Sequence, residues 1–110
     1  IITAGGKNIA PKPIIDQLVG DGIDDVVILG DEKPYLCALV IVDTEDVEEY
    51  KDTVSRRIAH VNQSLPRFSQ IKKYRILSQE YLDIHSFRTP TLKLKKNKII
   101  AAHLDLYESS

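Results

Sequence analysis

Four lysines cluster near the carboxyl end of the chain, directly after a rigid turn sequence. Residues 89–96 read Thr-Pro-Thr-Leu-Lys-Leu-Lys-Lys, and Lys98 follows two positions later. A lysine held at such a turn can bind a phosphate group as a point charge. Positive charge at the start of a helix opposes the helix dipole, which favours a binding role for Lys93. A solvated basic helix start is the alternative.

A second segment, residues 4–8, reads Ala-Gly-Gly-Lys-Asn. Gly5 and Gly6 can adopt positive φ angles and let another backbone or a narrow ligand approach closely. The segment could therefore contact a phosphate or a thin ligand arm, and an ordinary hairpin turn is the alternative. The spacing of its glycines and lysine differs from that of a phosphate-binding P-loop, so that class of nucleotide site is excluded.

Histidine and cysteine side chains offer little further chemistry. His60, His85 and His103 stand at no metal-ligand spacing, so no zinc site is predicted. Cys37 lies in an apolar run, and a buried thiol is usually inert. The basic cluster lacks interleaved aromatic residues and the chain has no basic balance, so nucleic-acid binding is not favoured.

Length and composition are those of a single globular domain. The chain has 110 residues, of which 43% are apolar and 28% charged, and its formal net charge is −1. No apolar run reaches the ~18 residues that a membrane-spanning helix needs. A single cysteine excludes an internal disulfide and is compatible with a reducing cytoplasm, which is the location we predict. Peripheral association with a membrane stays open.

Hydrophobic periodicity predicts the elements that would position the two segments. Residues 1–3 and 7–9 predict two short strands on either side of the glycines. Pro11 suits the first turn of a helix, which the later glycines end. Strands are predicted at residues 24–29 and 36–42. The second run is continuously apolar, which is typical of a central strand buried on both faces.

In the second half of the chain, Thr44 is predicted to cap a helix that ends before Pro66. The buried face of this helix repeats at helical spacing and consists of Val47, Val54, Ile58, Val61 and Leu65. Residues 71–77 predict a basic edge strand, residues 78–88 a loop and residues 95–107 a final helix. The predicted fold class is α+β, a small domain with an N-terminal β-hairpin and a three-stranded sheet covered by helices.

Taken together, the two segments resemble those of the adenylate-forming superfamily, which includes acyl-CoA synthetases, luciferases and peptide-synthetase adenylation domains. Residues 1–11 look like the eighth core motif of the family in its fatty acyl-CoA synthetase form, and residues 89–96 look like the tenth. Residues 30–41 and 65–74 are similar to the segments between these motifs. The resemblance covers essentially the whole chain.

The resemblance implies that residues 1–110 are the C-terminal lid domain of an AMP-forming acyl-CoA synthetase, in the long-chain fatty acid–CoA ligase branch. The chain would begin immediately after the hinge on which that domain swings. The full-length enzyme would use ATP, Mg²⁺ and CoA, none of them held tightly by this chain alone. Its partner would be the N-terminal domain that binds ATP and the acyl group, with fatty acid, ATP and CoA as substrates and no nucleic acid.

The resemblance also implies roles for individual residues. Lys93 falls on the catalytic lysine, whose charge stabilises the negative charge around the α-phosphate and orients the carboxylate. The turn that supports this lysine falls on Thr89, Pro90 and Thr91. The loop that lines the pantetheine tunnel in the thioester-forming pose falls on Ala4, Gly5, Gly6 and Lys7.

The sequence departs from the family's pattern at two places. The acidic residue usual early in the first helix is Ile15 here, with Asp16 following. The Gly-Glu-Leu usual before Thr89 is replaced by Ser-Phe-Arg at residues 86–88. The missing glycine leaves open a different shape for the turn that carries the catalytic lysine.

Two other hypotheses stay open. One is a stand-alone α+β module that recruits a protein or an RNA through its edge strand and basic turn. The other is a family member that adenylates its substrate but transfers it to an acceptor other than CoA. On the leading hypothesis the isolated chain is inactive, because the ATP and acyl pockets would lie in the other domain of the parent enzyme.

Overall fold

A computed structural model describes residues 1–108 of the chain. The helices α1 to α4 span Pro11–Leu18, Lys51–Asn62, Gln79–Ile84 and Lys96–Ala102, and the strands β1 to β3 span Ile23–Leu29, Leu36–Val42 and Ile71–Ser78. Short 3₁₀ turns lie at Val47–Tyr50, Arg67–Ser69 and Leu104–Tyr107. The fold class is α+β, as predicted. Among the helices of this described part, none has both the length and the apolar character needed to cross a membrane.

The three strands form one mixed sheet in the order β1-β2-β3, with β2 in the centre. β1 pairs with β2 in antiparallel orientation, and β2 pairs with β3 in parallel orientation. All seven residues of β2 are buried, which confirms the prediction of a central strand at Leu36–Val42. Because β2 and β3 are parallel, the chain must cross one face of the sheet between them, and α2 lies in this crossover.

Alternate residues of β2 face two separate apolar clusters, as the period of a strand requires. The side covered by α1 and α2 receives Leu36, Ala38, Val40 and Val42, and the side covered by α3 and α4 receives Cys37, Leu39 and Ile41. Each fully buried large apolar side chain contributes about 1.5–3 kcal/mol. Both helix layers are therefore fixed to the sheet through the same central strand.

Helix α1 begins at Pro11, as predicted, and packs one apolar stripe against the sheet. Ile15, where the family usually has an acidic residue, is half-buried and packs against the core. Asp16 forms an exposed ion pair with Lys12 at 3.2 Å. Ile15 therefore adds an apolar contact to the core, and Asp16 forms the ion pair of this helix.

The predicted start of α2 is wrong. Thr44 does not cap a helix, because its Oγ1 accepts a hydrogen bond from the backbone N of Asp46 at 3.2 Å and forms a local turn. A 3₁₀ turn follows, and α2 begins only at Lys51. Threonine hydroxyls form such turns as well as helix caps, so the residue type alone is ambiguous. Of the predicted apolar face, α2 buries Val54, Ile58 and Val61, whereas Val47 and Leu65 lie outside the helix and are partly buried.

The loop predicted for residues 78–88 instead contains α3. Ser78 caps this helix, because its Oγ accepts a hydrogen bond from the backbone N of Tyr81 at 3.1 Å. Glu80 lies in the first turn, where the helix dipole favours negative charge. Leu82 is fully buried against the sheet. A helix of six residues is shorter than two turns, so its periodicity is too short for a sequence pattern to detect.

The final helix predicted at residues 95–107 is interrupted at His103. Helix α4 ends one residue earlier, His103 has a φ of −122° and a ψ of 16°, and Leu104–Tyr107 forms a 3₁₀ turn. The interruption changes which side chains face the core. Leu106 is buried, whereas Leu104 is 40% exposed.

β3 is an edge strand, as predicted, and two of its basic side chains bind the C-terminal segment. Lys73 Nζ donates a hydrogen bond to the carbonyl of Leu106 at 3.1 Å, and Arg75 donates to both carboxylate oxygens of Asp105 at 3.0 Å. Arg75 Nη1 also lies 2.8 Å from Nδ1 of His103. These contacts hold the 3₁₀ turn against the sheet and account for the end of α4 at this point.

The predicted N-terminal hairpin is present as a turn with one antiparallel bridge, between Ile2 and Asn8. The two short strands predicted on either side of the glycines are reduced to this bridge. The hairpin packs on the turn between β1 and β2: the backbone N of Ala4 donates to the carbonyl of Lys33 at 3.0 Å, and that of Glu32 donates to Ile2 at 2.8 Å.

Candidate functional site

Residues 89–94, here called the Lys93 turn, form the tip of a short hairpin between α3 and α4, and Arg88 directly precedes them. An antiparallel bridge closes its base. The backbone N of Thr89 donates to the carbonyl of Lys93, and that of Leu92 donates to the carbonyl of Thr89, both at 2.8 Å. Pro90 fixes one further backbone angle. The turn that the sequence predicted is therefore held by backbone hydrogen bonds and by a proline ring.

The side-chain hydroxyls of two threonines also stabilise this turn. Thr89 Oγ1 accepts a hydrogen bond from the backbone N of Lys93 at 3.2 Å, and it lies 3.0 Å from Thr91 Oγ1. The structure thus brings Thr89, Pro90 and Thr91 together around the backbone of Lys93. Their supporting role in a reaction stays a prediction.

The side chain of Lys93 is exposed. Within residues 1–108, its Nζ has neither a hydrogen bond nor an ion pair. The neighbouring Lys95, Lys96 and Lys98 add positive charge, and the first turn of α4 contains no acidic residue. The ammonium is therefore available to an anionic ligand in a locally positive field.

Arg88, for which the sequence predicted no role, connects the Lys93 turn to the sheet. Its Nη1 donates to the carbonyl of Leu92 at 2.9 Å, and its Nη2 donates to Oε1 of Gln79. Gln79 Nε2 donates in turn to Oδ2 of Asp24 at 2.9 Å, near the start of β1. The sequence signal that could have indicated this arrangement is Ser78, a helix-capping residue type directly before Gln79.

Residues 3–8, here called the glycine loop, form the tip of the N-terminal hairpin. The backbone N of Gly6 donates to the carbonyl of Thr3 at 2.9 Å, and that of Lys7 donates to Thr3 Oγ1 at 3.1 Å. Gly6 has a φ of 81°, which favours glycine. A Cβ on Gly6 would meet no atom within 4 Å, and one on Gly5 would meet only Thr3 Oγ1 at 4.0 Å. The outer side of the loop is therefore open to another molecule.

The remaining residues predicted for this loop lie on its exposed surface. Ala4 is bound through its backbone N to the turn between β1 and β2. The ammonium of Lys7 lies 5.2 Å from the ring centroid of Phe68, which is 44% exposed. This distance is typical of a cation–π interaction. A contact of these residues with pantetheine stays a prediction.

The Lys93 turn and the glycine loop are attached at opposite ends of β1. Asp24, near the start of β1, binds Gln79, which in turn binds the Lys93 turn. The glycine loop is attached just beyond the end of β1, through the hydrogen bond from Ala4 to Lys33. Strands rise about 3.3 Å per residue, so the two attachment points are separated by roughly 17–20 Å. The predicted site residues therefore form two separate surfaces rather than one pocket.

Two buried titratable groups belong to the core. Burial lowers the pKa of His103, the positive charge of Arg75 lowers it further, and Asp105 acts in the opposite direction. Arg75 can only donate, so Nδ1 of His103 accepts, and Nε2 carries the hydrogen that faces Tyr81 Oη at 2.8 Å. Burial also raises the pKa of the Cys37 thiol, which agrees with the prediction that this residue is not a nucleophile.

The groove that the structure shows among residues 1–108 is small and lies away from both surfaces. Residues 1–108 contain no cluster of three or more His, Cys, Asp or Glu side chains that could hold a metal ion. A groove of about 180 Å³ lies beside β3, between Val47, Lys51 and Tyr74, and neither the Lys93 turn nor the glycine loop lines it. Ligand pockets usually have volumes of about 300–1,000 Å³.

The fold and the sequence both match known proteins. The crystal structure of the ATP-bound RpMatB–BxBclM chimera B1 has a TM-score of 0.65 and 20% identity, and the match covers 97% of this chain and 21% of that chain. The long-chain-fatty-acid–CoA ligases FadD15 of Mycobacterium tuberculosis and Mycobacterium bovis are each 31% identical over 123 aligned positions, which cover 92% of this chain. The chain spans only 20% of the length of these curated relatives. The protein-family model described as AMP-binding enzyme C-terminal domain matches residues 1–108. This chain therefore belongs to the family of AMP-binding enzyme C-terminal domains.

Proposed function

We propose that residues 1–110 are the mobile C-terminal lid of an AMP-forming long-chain fatty acid–CoA ligase. One observation carries the proposal: Lys93 has an ammonium with no partner among the described residues, on a turn braced by hydrogen bonds. The resemblance assigns this lysine to the catalytic lysine of the family. The family match over residues 1–108 and the 31% identity to FadD15 ligases support the assignment to this branch. The isolated chain is expected to be inactive.

In the first step, the fatty acid carboxylate would attack the α-phosphate of ATP, and the bond to pyrophosphate would break. The products are acyl-AMP and pyrophosphate. Lys93 would place its charge beside the α-phosphate, where negative charge develops, and would orient the attacking carboxylate. A lysine suits this role because its ammonium is a compact charge on a flexible stem.

In the second step, the CoA thiol would attack the acyl carbon, and the bond between the acyl group and AMP would break. The glycine loop would line the path of the pantetheine arm, where the absence of side chains at Gly5 and Gly6 leaves room for it. The Lys93 turn and the glycine loop are attached at opposite ends of β1, so the two surfaces would face the N-terminal domain in different orientations of the lid. The lid would therefore reorient between the two steps.

ATP, CoA and the fatty acid would be enclosed mainly by the N-terminal domain of the full-length enzyme, which is the proposed partner of this chain. Mg²⁺ would accompany the nucleotide there. The described residues offer no cluster of metal ligands, so we assign Mg²⁺ no ligand in this chain and no step of the reaction. We propose a cytoplasmic location, with which the single free cysteine is compatible.

The test of this function is the variant Lys93→Ala in the full-length ligase. Fatty-acid-dependent ATP–pyrophosphate exchange should fall about 10²–10³-fold, the usual effect of removing one electrostatic donor from a transition state. Lys72→Ala removes an exposed lysine from β3 and is the matched control, which should leave exchange unchanged. Exchange at the wild-type rate in Lys93→Ala would refute the proposed role.

The two other hypotheses give different results in the same assays. A stand-alone binding module is not favoured, because the family match extends over residues 1–108. An enzyme that passes its acyl group to an acceptor other than CoA would catalyse the exchange but form no CoA thioester. Assaying both reactions separates this case from the ligase.

A further inference from the structure

The residue directly before Lys93 has an unfavourable backbone conformation. Leu92 has a φ of 66°, in the left-handed region that disfavours residues other than glycine. Its side chain is 72% exposed, so packing contributes little to holding it there. Hydrogen bonds to its backbone must therefore keep this conformation, and with it the direction in which the Lys93 side chain leaves the turn.

Both polar backbone groups of Leu92 are hydrogen-bonded. Its N donates to the carbonyl of Thr89 at 2.8 Å, and its carbonyl accepts from Nη1 of Arg88 at 2.9 Å. The first bond lies within the turn. The second connects the turn to a guanidinium group that also binds outside it.

The guanidinium of Arg88 contacts two partners at once. While Nη1 binds the turn, Nη2 donates to Oε1 of Gln79, the first residue of α3, and Gln79 binds Asp24 near the start of β1. The rigid fork of an arginine can hold two acceptors in fixed directions, whereas a lysine is a point charge and a leucine offers no donor. The Lys93 turn is thus oriented relative to the sheet by Arg88 and Gln79.

We propose that Arg88 and Gln79 are positioning residues for the adenylation step, and that they set the place of the Lys93 ammonium relative to the α-phosphate. The inference rests on the proposed function, since it concerns the lysine assigned to that step. A displacement of about 1 Å in a catalytic group can cost about 100-fold in rate.

The experiment must distinguish the effect of the positive charge of Arg88 from the effect of its two hydrogen bonds. Arg88→Ala removes a cation near Lys93 as well as the two hydrogen bonds. Arg88→Lys keeps the charge but loses the fork, and Gln79→Ala keeps the arginine but removes its second partner. Arg56→Ala is the matched control, because this arginine pairs with Asp52 on the surface of α2.

The experiment uses the full-length ligase and measures kcat for ATP–pyrophosphate exchange and, separately, for thioester formation from added acyl-AMP. We expect Arg88→Ala, Arg88→Lys and Gln79→Ala each to lower the exchange kcat about 10–100-fold and to leave thioester formation unchanged. The double variant Arg88→Ala/Gln79→Ala should lose little more than either single variant, since the two residues act as one unit. Arg56→Ala should leave both reactions unchanged.

Other outcomes would overturn the proposal. Wild-type exchange in Arg88→Lys and Gln79→Ala, with exchange lost in Lys93→Ala, shows that the lysine acts without this support. An equal loss of both reactions shows a purely structural role for Arg88. If Arg88→Ala does not fold, Gln79→Ala and Arg88→Lys decide the question in its place. If exchange survives in Lys93→Ala itself, the proposed function fails, and that result is distinct from a failure of the positioning role.

Discussion

Ser86 shows how a departure from the family's pattern acts at a single residue. It has a φ of 55° and lies two residues beyond the end of α3, where helices commonly finish in a left-handed residue. Glycine adopts this conformation without strain, whereas serine carries a Cβ that approaches the backbone. Loss of the glycine therefore costs stability, and the turn that follows is still formed.

Ser86→Gly should stabilise the chain by about 1 kcal/mol, because it removes this left-handed strain. Urea unfolding of the 110-residue chain measures the effect. Ser55→Gly provides the control, because Ser55 is exposed within α2 and the same substitution should destabilise there by about 0.5 kcal/mol. Destabilisation by both substitutions would contradict the assigned strain at Ser86.

The pKa of His103 predicts how stability depends on pH. Burial holds the folded pKa below its ordinary value of 6.5, so the unfolded chain binds the proton more readily. The contribution of His103 to stability is therefore complete above about pH 6.5 and is lost as the pH falls from there toward the folded pKa. Protonation at Nδ1 would also place two cations, His103 and Arg75, within hydrogen-bond distance of each other.

Urea unfolding between about pH 7 and pH 5 measures this dependence. The free energy of unfolding should fall with the pH in the wild-type chain and fall less steeply in His103→Gln. His60→Gln, which replaces an exposed histidine of α2, should keep the wild-type slope. Equal slopes in His103→Gln and wild type would show that His103 does not carry the effect.

At the residue scale, the sequence predicts a side chain's role when that role depends on residues close to it in the chain. The exposed Lys93 follows from the Thr-Pro-Thr turn beside it. The support from Arg88 could not be predicted in this way, because the bond between Gln79 and Asp24 joins residues 55 positions apart. Such a contact exists only after β1 and β3 have entered the same sheet.

The junction between α1 and β1 depends on a glycine that packs beneath an aromatic ring. Gly22 has a φ of 92°, and a Cβ built there would overlap the ring of Tyr50. The hydroxyl of Tyr50 donates to Asp43 at 3.0 Å, which fixes the ring over the junction. Glycine is therefore favoured here for two reasons: its positive φ, and the lack of space for a Cβ beside Tyr50.

Gly22→Ala should destabilise the chain more than Gly20→Ala. Both positions have positive φ, so each substitution loses about 1–3 kcal/mol to backbone strain. Only at Gly22 does the added methyl group also displace Tyr50, since nothing lies within 4 Å of a Cβ at Gly20. The midpoints of urea unfolding compare the two variants, and equal midpoints would contradict the contact with Tyr50.

At the scale of elements, the success of a sequence prediction depended on length and on side-chain chemistry. The continuous apolar run of β2 predicted its bounds, because a run of seven apolar residues is typical of a strand buried on both faces. Helix α3 has six residues and gave no period to recognise. The predicted start of α2 was wrong because the hydroxyl of Thr44 accepts a hydrogen bond within a local turn instead of capping the helix. A threonine can form either hydrogen bond, and the residue type alone does not decide between them.

At the scale of the whole molecule, the Lys93 turn and the glycine loop are attached at opposite ends of one strand, β1. β1 leads from the end that holds the Lys93 turn to the end that holds the glycine loop, and β2 returns antiparallel to it. Residue types indicated both segments, and hydrophobic periodicity predicted the α+β class. Their placement at opposite ends needed the topology, because the parallel pairing of β2 with β3 decides at which end α3 and the Lys93 turn emerge.

This arrangement predicts that each surface serves its own half of the reaction. Lys93→Ala removes the free cation of one surface. Gly5→Val adds a side chain to the other, and a Cβ at Gly5 has no neighbour in this chain closer than 4.0 Å, so its effect should fall on an external ligand. The two variants leave each other's surface unaltered, since the surfaces share no hydrogen bond within residues 1–108.

The most direct measurement compares the two half-reactions of the full-length ligase in these two variants. We predict that Lys93→Ala lowers ATP–pyrophosphate exchange about 10²–10³-fold and spares thioester formation from added acyl-AMP. Gly5→Val should lower thioester formation and spare the exchange. Loss of the same half-reaction in both variants, or of neither, would contradict the account of a lid that presents one surface at each step.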